Sequence, residues 1–447
     1  MLEESDKIIA SDSHYASDSK DRGRIAMIST HGYVATEPPL GMPDTGGQVV
    51  FVIELSKKLS ELGYVVDIWT RRFEDQIAEE KLCENVAIRR VPCGGSAFIP
   101  KEYLYKNLLE YTARVKDIIA NDKIEYDFIN SHYWDAGLVG QSLSEALDVP
   151  HVHTPHSLGS WKRRKMEEDF PENSDKFDKV YNFTERIRNE RAIYEECDSL
   201  VATTPIQVDL FKEDYDINPE KISMIPPGYD DSRFFPVSEA TRQGLRERLG
   251  FDGKRVITSI GRLSRNKGFD LLVEAFAIVN ERDPEAFLFM ALGTESEETT
   301  EDPMLNEIVE KVKQLGLEQK VTISESLPDE AMADFYRASD VFCLPSRYEP
   351  FGMTAVEAMA CGAPCVVTTN GGLYRTLEYG SEALFADSLD PQDFGLSIAK
   401  ILKFPGLKRR LSEKGSQKAR SLFTWSGIAQ QLINAVETRK SLRVVYT

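Results

Sequence analysis

Short apolar runs rich in Val, Ile and aromatic residues recur along the first half of the chain. They fall at RIAMIST (24–30), YVVDIWT (64–70), DFINSH (127–132), VPHVHT (149–154), SLVATT (199–204) and ISMIPP (222–227). Each has the four to eight residues of a buried strand, and segments with helical spacing, such as QVVFVIELSKKLSELG (48–63), stand between them. That alternation predicts a parallel, doubly wound sheet. The pattern breaks at 228–255, a charged, turn-rich stretch with one short helix candidate, which reads as an inter-domain connection. A second series follows: VITSIGR (256–262), FLFMALG (287–293), KVTIS (320–324), VFCLPS (341–346) and CVVTT (365–369), alternating with helices such as DLLVEAFAIVNER (270–282). The expected fold class is α/β, with two Rossmann-like doubly wound parallel-sheet domains facing each other across a cleft. The boundaries read as a flexible tail at 1–22, domains at 23–235 and 236–424, and a last helix at 425–447 that begins at Trp425.

Length agrees with two cores, since 447 residues exceed the roughly 250–300 at which one core stops growing. Hydrophobic residues at 41% and charged residues at 28% exclude a disordered or low-complexity chain. Charge changes the picture more. With 54 basic and 73 acidic side chains, the net −19 repels phosphodiester polymers and anionic membranes. Neither nucleic acid nor a membrane is expected as a partner, and a phosphate-bearing small ligand needs a locally basic cleft. Six cysteines without a CxxC pair read as reduced thiols, with Cys361 and Cys365 as packing residues. The polar, acidic N-terminal stretch and the lack of any run of 18 apolar residues lead to a cytoplasmic expectation.

Three segments carry candidate chemistry. Gly46-Gly47-Gln48 follows the first strand and opens a helix, where glycines allow close backbone approach and free N–H groups attract an anion; an ordinary strand-to-helix turn has the same look. Arg262 and Lys267 lie in a loop after a strand, where two fixed cations suit a diphosphate, although a solvated basic loop also fits. The most specific stretch is SRYEPFGMTAVEAMACGAP (346–364). It places Glu349 in a loop and Glu357 on the helix that follows, so one carboxylate can reach sugar hydroxyls and the other a ribose diol. Backbone N–H groups at Phe351, Gly352 and Met353 can meet sugar or phosphate. In HVHTPHS, His151 and His153 alternate on a strand without a Cys or carboxylate ligand pattern. A metal site, buried structural histidines and a sugar contact by His156 are the alternatives, and no metal is expected.

Taken together, the Glu-x7-Glu, Gly-Arg-x4-Lys and Gly-Gly-Gln segments resemble the retaining GT-B glycosyltransferases of family 4, from about residue 24 to Trp425. Within that family, DTGGQ (44–48), FIPKEYLY (98–105), SHYWDAG (131–137), HTPHSLG (153–159) and SMIPPGYD (223–230) are similar to the sucrose-phosphate synthase branch. GMPDTGGQVVFV and HTPHSLGSWKRRK look more like its bacterial members acting on GDP-mannose. The resemblance implies that Gly46, Gly47 and Gln48 meet the acceptor sugar, with Gly47 also near the donor phosphate. Lys101, Lys162 and Arg186 would bind an acceptor phosphate, with Tyr133 and His156 beside the reacting sugars. Arg262, Lys267, Glu349 and Glu357 would form the donor site, and Arg262, Lys267, His156 and Glu349 the catalytic set. It further implies a last helix crossing back to the first domain.

The activity implied is transfer of mannose from GDP-mannose to the C2 hydroxyl of fructose 6-phosphate, on the leaving-group face, the donor phosphate taking the acceptor proton. Two fixed cations stabilise the leaving diphosphate without a required metal, a divalent ion being at most stimulatory, and a sugar-phosphate phosphatase is expected downstream. A sucrose-phosphate synthase using UDP- or ADP-glucose is the alternative within the class, and a non-catalytic nucleotide-sugar sensor a remote one. Two departures stand out: Gly-Gly-Leu-Tyr-Arg at 371–375, where the family has Gly-Gly-Pro-Ala-Glu, and Arg188-Asn189, where plant relatives carry acidic or small residues.

Overall fold

The computed structural model describes residues 22–39, 44, 46–169, 171–293, 303–325 and 327–446; of the tail expected at 1–22, residues 1–21 lie outside it. Eight strands form the first sheet: β1 (Arg24–Ile28), β2 (Val65–Arg72), β3 (Glu79–Cys83), β4 (Val86–Pro92), β5 (Phe128–His132), β6 (His151–Thr154), β7 (Ser199–Ala202) and β8 (Ile222–Met224). Their spatial order is β3-β4-β2-β1-β5-β6-β7-β8. The second sheet holds β9 (Arg255–Arg262), β10 (Ala286–Gly293), β11 (Val321–Glu325), β12 (Val341–Leu344), β13 (Cys365–Thr368) and β14 (Leu384–Ala386), in the order β11-β10-β9-β12-β13-β14.

The unbroken apolar run of β1 has a simple cause: both faces of the sheet are covered, so both sets of alternating side chains are buried. Ile25 and Met27 join a core with Val49, Val52, Leu55 and Leu59 of the helix Gly47–Glu61. Ala26 and Ile28 pack against Tyr111, Val115 and Ile119 of Leu108–Asp122 and Val139 and Leu143 of Trp134–Leu147. The last helix, Trp425–Tyr446, follows the second sheet in sequence yet adds Trp425, Ile428, Leu432 and Val436 to the first sheet's core. Trp425 meets Phe51 edge-on at 5.2 Å, and an added Cβ at Gly228 would lie 2.4 Å from its indole.

One edge differs from a purely parallel sheet, because β3 pairs antiparallel with β4. The sequence conceals these strands, since β4 carries Arg89 and Arg90. Arg89 is bonded to buried Asp67 of β2 at 2.8 Å, and Arg90 is paired with Glu80 of β3. Strand order reverses at β1, flanked by β2 and β5, and again at β9, flanked by β10 and β12. Crevices beyond the carboxyl ends of strands at such switch points are where open α/β sheets take ligands. The residues there are Ser29–His31 and His132–Tyr133 in one sheet, and Arg262–Lys267 and Pro345–Glu349 in the other.

Candidate active site

At the first switch point, Gly46 is the extended N-cap of Gly47–Glu61, and among the described residues an added Cβ at Gly46 or Gly47 meets nothing within 4 Å. Gln48 points back, its Nε2 donating to Ser29 Oγ and the His132 carbonyl, both at 3.3 Å. Asp135 accepts from Thr30 Oγ1 at 2.7 Å and pairs with His31 Nδ1 at 2.8 Å, fixing the turn after β1.

Two residues beside this crevice hold left-handed backbone angles. His156 has φ +60°, and Tyr133 has φ +75° with ψ 162°, a region almost restricted to glycine. Tyr133 is fixed there because its N–H donates to the Thr154 carbonyl at 3.0 Å and its hydroxyl accepts from Arg186 Nη1 at 2.8 Å. The rings of His132 and His156 share a hydrogen bond of 2.9 Å, and Phe51 lies edge-on to His156 at 5.0 Å. Enclosure, helped by His31, lowers the His156 pKa to about 3, so its ring is neutral near pH 7. His151 and His153 both bond Ser131 Oγ, at 2.7 and 2.8 Å, as buried structural groups. Among the described residues there is no cluster of His, Cys, Asp and Glu able to hold a metal ion.

Basic groups gather next to Tyr133. Lys101, at the start of Lys101–Leu104, pairs with Asp44 and lies 3.7 Å from Glu102. Lys162 sits on Gly159–Asp169 with its ammonium 4.6 Å from the Tyr181 ring centre. Desolvation, then the fields of Arg186 and Lys101, lower its pKa to about 8. A lysine kept charged at neutral pH against that opposition gains most when an anion arrives. Arg186 is 2% exposed: Nε donates to Glu190 at 2.7 Å, and Nη2 to the Ser157 carbonyl and Oγ at 2.7 and 2.9 Å. With the bond to Tyr133, it is engaged mainly in the wall behind the crevice.

In the second sheet, exposed Arg262 ends β9, and Lys267 closes the short turn Arg265–Lys267. Lys267 Nζ meets Glu349 at 2.6 Å, and Ser346 Oγ donates to the same carboxylate at 3.0 Å. Both bonds go to Oε2. Gly268 (φ +67°) permits the close approach of the two loops, since a Cβ there would lie 2.1 Å from the Pro345 carbonyl. Arg347 ties the same loop to Asp270 through two bonds, at 2.7 and 2.6 Å. The Phe351 side chain is core, packed on Phe423 at 5.5 Å, so only its backbone can serve a ligand. Gly352 (φ +106°) is the N-cap of Met353–Ala360, whose Glu357 accepts from Tyr336 OH at 3.0 Å.

The two walls touch. Trp161, next to Lys162, packs edge-on against Tyr348, next to Glu349, with ring centres 4.4 Å apart. Arg375 reaches Asp209 at 2.5 Å, and an added Cβ at Gly372 would lie 2.5 Å from Thr204. The structure therefore brings the helix that carries Lys162 into contact with the loop that carries Glu349, with Tyr133 in the same apolar cluster. Sequence reasoning had not singled out Trp161, Tyr348, Asp44 or Glu190; Trp161 and Tyr348 stand beside motif residues, but contact across the cleft leaves no periodic signal.

Comparison with known proteins gives the family and the fold. The family model described as Glycosyltransferase Family 4 matches residues 45–233, and that described as Glycosyl transferases group 1 matches residues 241–418. The chain is 56% identical over 422 residues to mannosylfructose-phosphate synthase of Agrobacterium fabrum, covering 94% of this chain and 93% of that protein. It is 32% identical over 420 residues to D-inositol 3-phosphate glycosyltransferase of Corynebacterium kroppenstedtii, covering 93% and 90%. Among solved structures, sucrose-phosphate synthase from Thermosynechococcus elongatus matches with a TM-score of 0.77 and 28% identity over 94% of this chain and all of that one.

Proposed function

The chain belongs to glycosyltransferase family 4, with the two-sheet GT-B architecture, and from that premise we propose that it is a retaining hexosyltransferase acting on fructose 6-phosphate. Its donor is GDP-mannose and its product mannosylfructose phosphate. The observation that carries the reading is the pairing of two charge groups across one cleft. Lys267–Glu349 lies on the donor lip, Lys101 and Lys162 on the acceptor lip, and the Trp161–Tyr348 contact links them. The 56% identity to a protein named for this product supports the choice of substrates.

The chemistry follows from where charge develops. As the anomeric C–O bond to the diphosphate breaks, negative charge grows on the leaving phosphate, and Arg262 and Lys267 meet it as cations fixed before the reaction. Glu349 holds Lys267 with Oε2 and takes a hydroxyl of the transferred hexose with Oε1, while Glu357 serves the ribose diol. The backbone N–H groups of Phe351, Gly352 and Met353 support the phosphates. On the other lip, Lys101 and Lys162 bind the acceptor phosphate, backed by Arg186. Gly46, Gly47 and Gln48 border the acceptor ring, and neutral His156 and Tyr133 line the reacting sugars. The acceptor oxygen attacks on the face the diphosphate leaves, and its proton passes to the departing phosphate oxygen. Holding both substrates in one geometry supplies the proximity term.

No metal is required in this scheme, because the Arg262–Lys267 pair carries the diphosphate charge. The downstream step is a phosphatase acting on the product. The testing assay offers fructose 6-phosphate with GDP-mannose, UDP-glucose or ADP-glucose, with and without excess EDTA, and follows nucleotide release. Release of GDP with a mannosylated sugar phosphate, undiminished by EDTA, is expected. UDP or ADP release in its place moves the chain to sucrose-phosphate synthesis, and metal-reversible loss of turnover contradicts the cation mechanism.

A further inference from the structure

The carboxylate of Glu190 is 1% exposed and reaches no part of the cleft, yet three separate elements converge on it. Arg186 Nε donates to Oε1 at 2.7 Å, within the helix Phe183–Glu196. The backbone N–H of Gly159, which opens the helix bearing Lys162, donates at 3.2 and 3.0 Å to the two oxygens. Tyr215, the last residue of Pro205–Tyr215, donates its hydroxyl to Oε2. The absence of a Cβ at Gly159 makes room for the pair, since one there would lie 2.9 Å from Glu190 Oε2 and 3.1 Å from Arg186 Nε and would displace them.

Arg186 then passes the constraint on. It holds the Tyr133 hydroxyl and both oxygens of Ser157, the residue after His156, and its guanidinium stacks 4.7 Å from the Tyr133 ring centre. Tyr133 and His156, on either side of this pair, both have positive φ. Such backbone states are strained and persist only where the surroundings over-determine them. A buried ion pair whose lone pairs and N–H groups are satisfied is such a constraint, and losing one partner leaves an uncompensated charge.

We propose that Glu190 is a positioning residue for the acceptor site: through Arg186 it fixes strained Tyr133 and the Ser157 turn, and through Gly159 it sets the helix that carries Lys162. This inference rests on the acceptor reading above. It has a sign that separates it from simple electrostatics. If Glu190 only offset positive charge, its neutralisation would strengthen binding of a sugar phosphate. Positioning requires the reverse.

The test is Glu190→Gln in the full-length protein, with folding checked by circular dichroism, and steady-state KM for fructose 6-phosphate and for GDP-mannose. Binding of fructose 6-phosphate is measured separately by calorimetry. The expected result is an acceptor KM and Kd raised on the order of tenfold, with donor KM unchanged within about twofold. Tyr215→Phe, which deletes one bond and keeps the pair, should raise acceptor KM by about threefold and serves if Glu190→Gln does not fold. Unchanged or tighter acceptor binding in the folded variants, or equal loss for donor and acceptor, overturns the inference. Absence of turnover by the unaltered protein with this substrate pair overturns the acceptor reading itself, a distinct outcome.

Discussion

The two lips of the cleft are built in opposite ways. On the acceptor side, the charged groups that shape the wall lie inside it: Arg186 and Glu190 are 2% and 1% exposed and committed to each other. The histidines behind them are driven toward neutrality, with His151 and His156 lowered to about 3 chiefly by burial. On the donor side, the cations stand at a strand end and on the turn after it, with Arg262 exposed and Lys267 paired with Glu349. A prearranged wall suits a small acceptor recognised by shape and one phosphate. Loop cations suit a donor whose charge changes during reaction, because they act most strongly where charge appears.

The largest effect should come from the donor lip. Lys267→Ala and Arg262→Ala should each lower kcat by on the order of 10²–10³-fold with the fold intact, since Arg262 is the exposed last residue of β9 and Lys267 sits on a turn. Single-turnover kinetics would check this, and near-normal turnover of either variant would remove that residue from the leaving-group role. Second is the acceptor phosphate. Charge-assisted hydrogen bonds contribute about 1.5–3 kcal/mol each, so fructose in place of fructose 6-phosphate should reduce kcat/KM by on the order of 10²-fold. Comparable values for the two acceptors would dissolve the contrast between the lips.

Third comes pH. Lys162, lowered to about 8, is protonated at neutral pH and loses its charge as pH rises past that value, so it attracts phosphate below pH 8 and not above. Asp44 and Glu102 oppose that shift, and Arg186 and Lys101 contribute to it. Acceptor kcat/KM should fall about fivefold between pH 8 and 9, and Lys162→Arg should move this limb upward. His156, already neutral, should add no inflection near pH 6–7. The smallest effect belongs to the contact between the lips. Arg375–Asp209 is an exposed pair, 36% and 42% accessible, of the kind that contributes about 0–1 kcal/mol. Arg375→Ala should change kcat by about twofold or less, read in a standard turnover assay; a tenfold change would make this pair a latch between the domains.

The same contrast explains what the sequence revealed. Donor-lip chemistry is local: Glu349 and Glu357 sit eight residues apart on one loop and helix, and Arg262 and Lys267 five apart at a strand end and the turn after it, so spacing exposed them. The strands β1, β10, β12 and β13 were legible because double burial makes them nearly continuous apolar runs. β3 and β4 were not, since their Arg89, Arg90 and Glu80 are satisfied by partners distant in sequence. The acceptor lip is assembled from residues as far apart as Asp44, Lys101, Tyr133, Lys162 and Glu190. Resemblance to a family pointed to some of them, but the convergence on Glu190 exists only after folding. The Gly-Gly-Leu-Tyr-Arg departure acquires a meaning in the same way, as the carrier of Arg375 toward Asp209.

The division of labour between the lips is tested most directly by crossing the two perturbations. Fructose and fructose 6-phosphate are each assayed with GDP-mannose, using the unaltered protein, the Lys101→Met/Lys162→Met double variant and Lys267→Ala. We expect the advantage of the phosphorylated acceptor to collapse to within about threefold in the double variant and to persist at on the order of 10²-fold in Lys267→Ala, whose turnover falls for both acceptors alike. An advantage that survives loss of both lysines, or disappears with Lys267, contradicts the account.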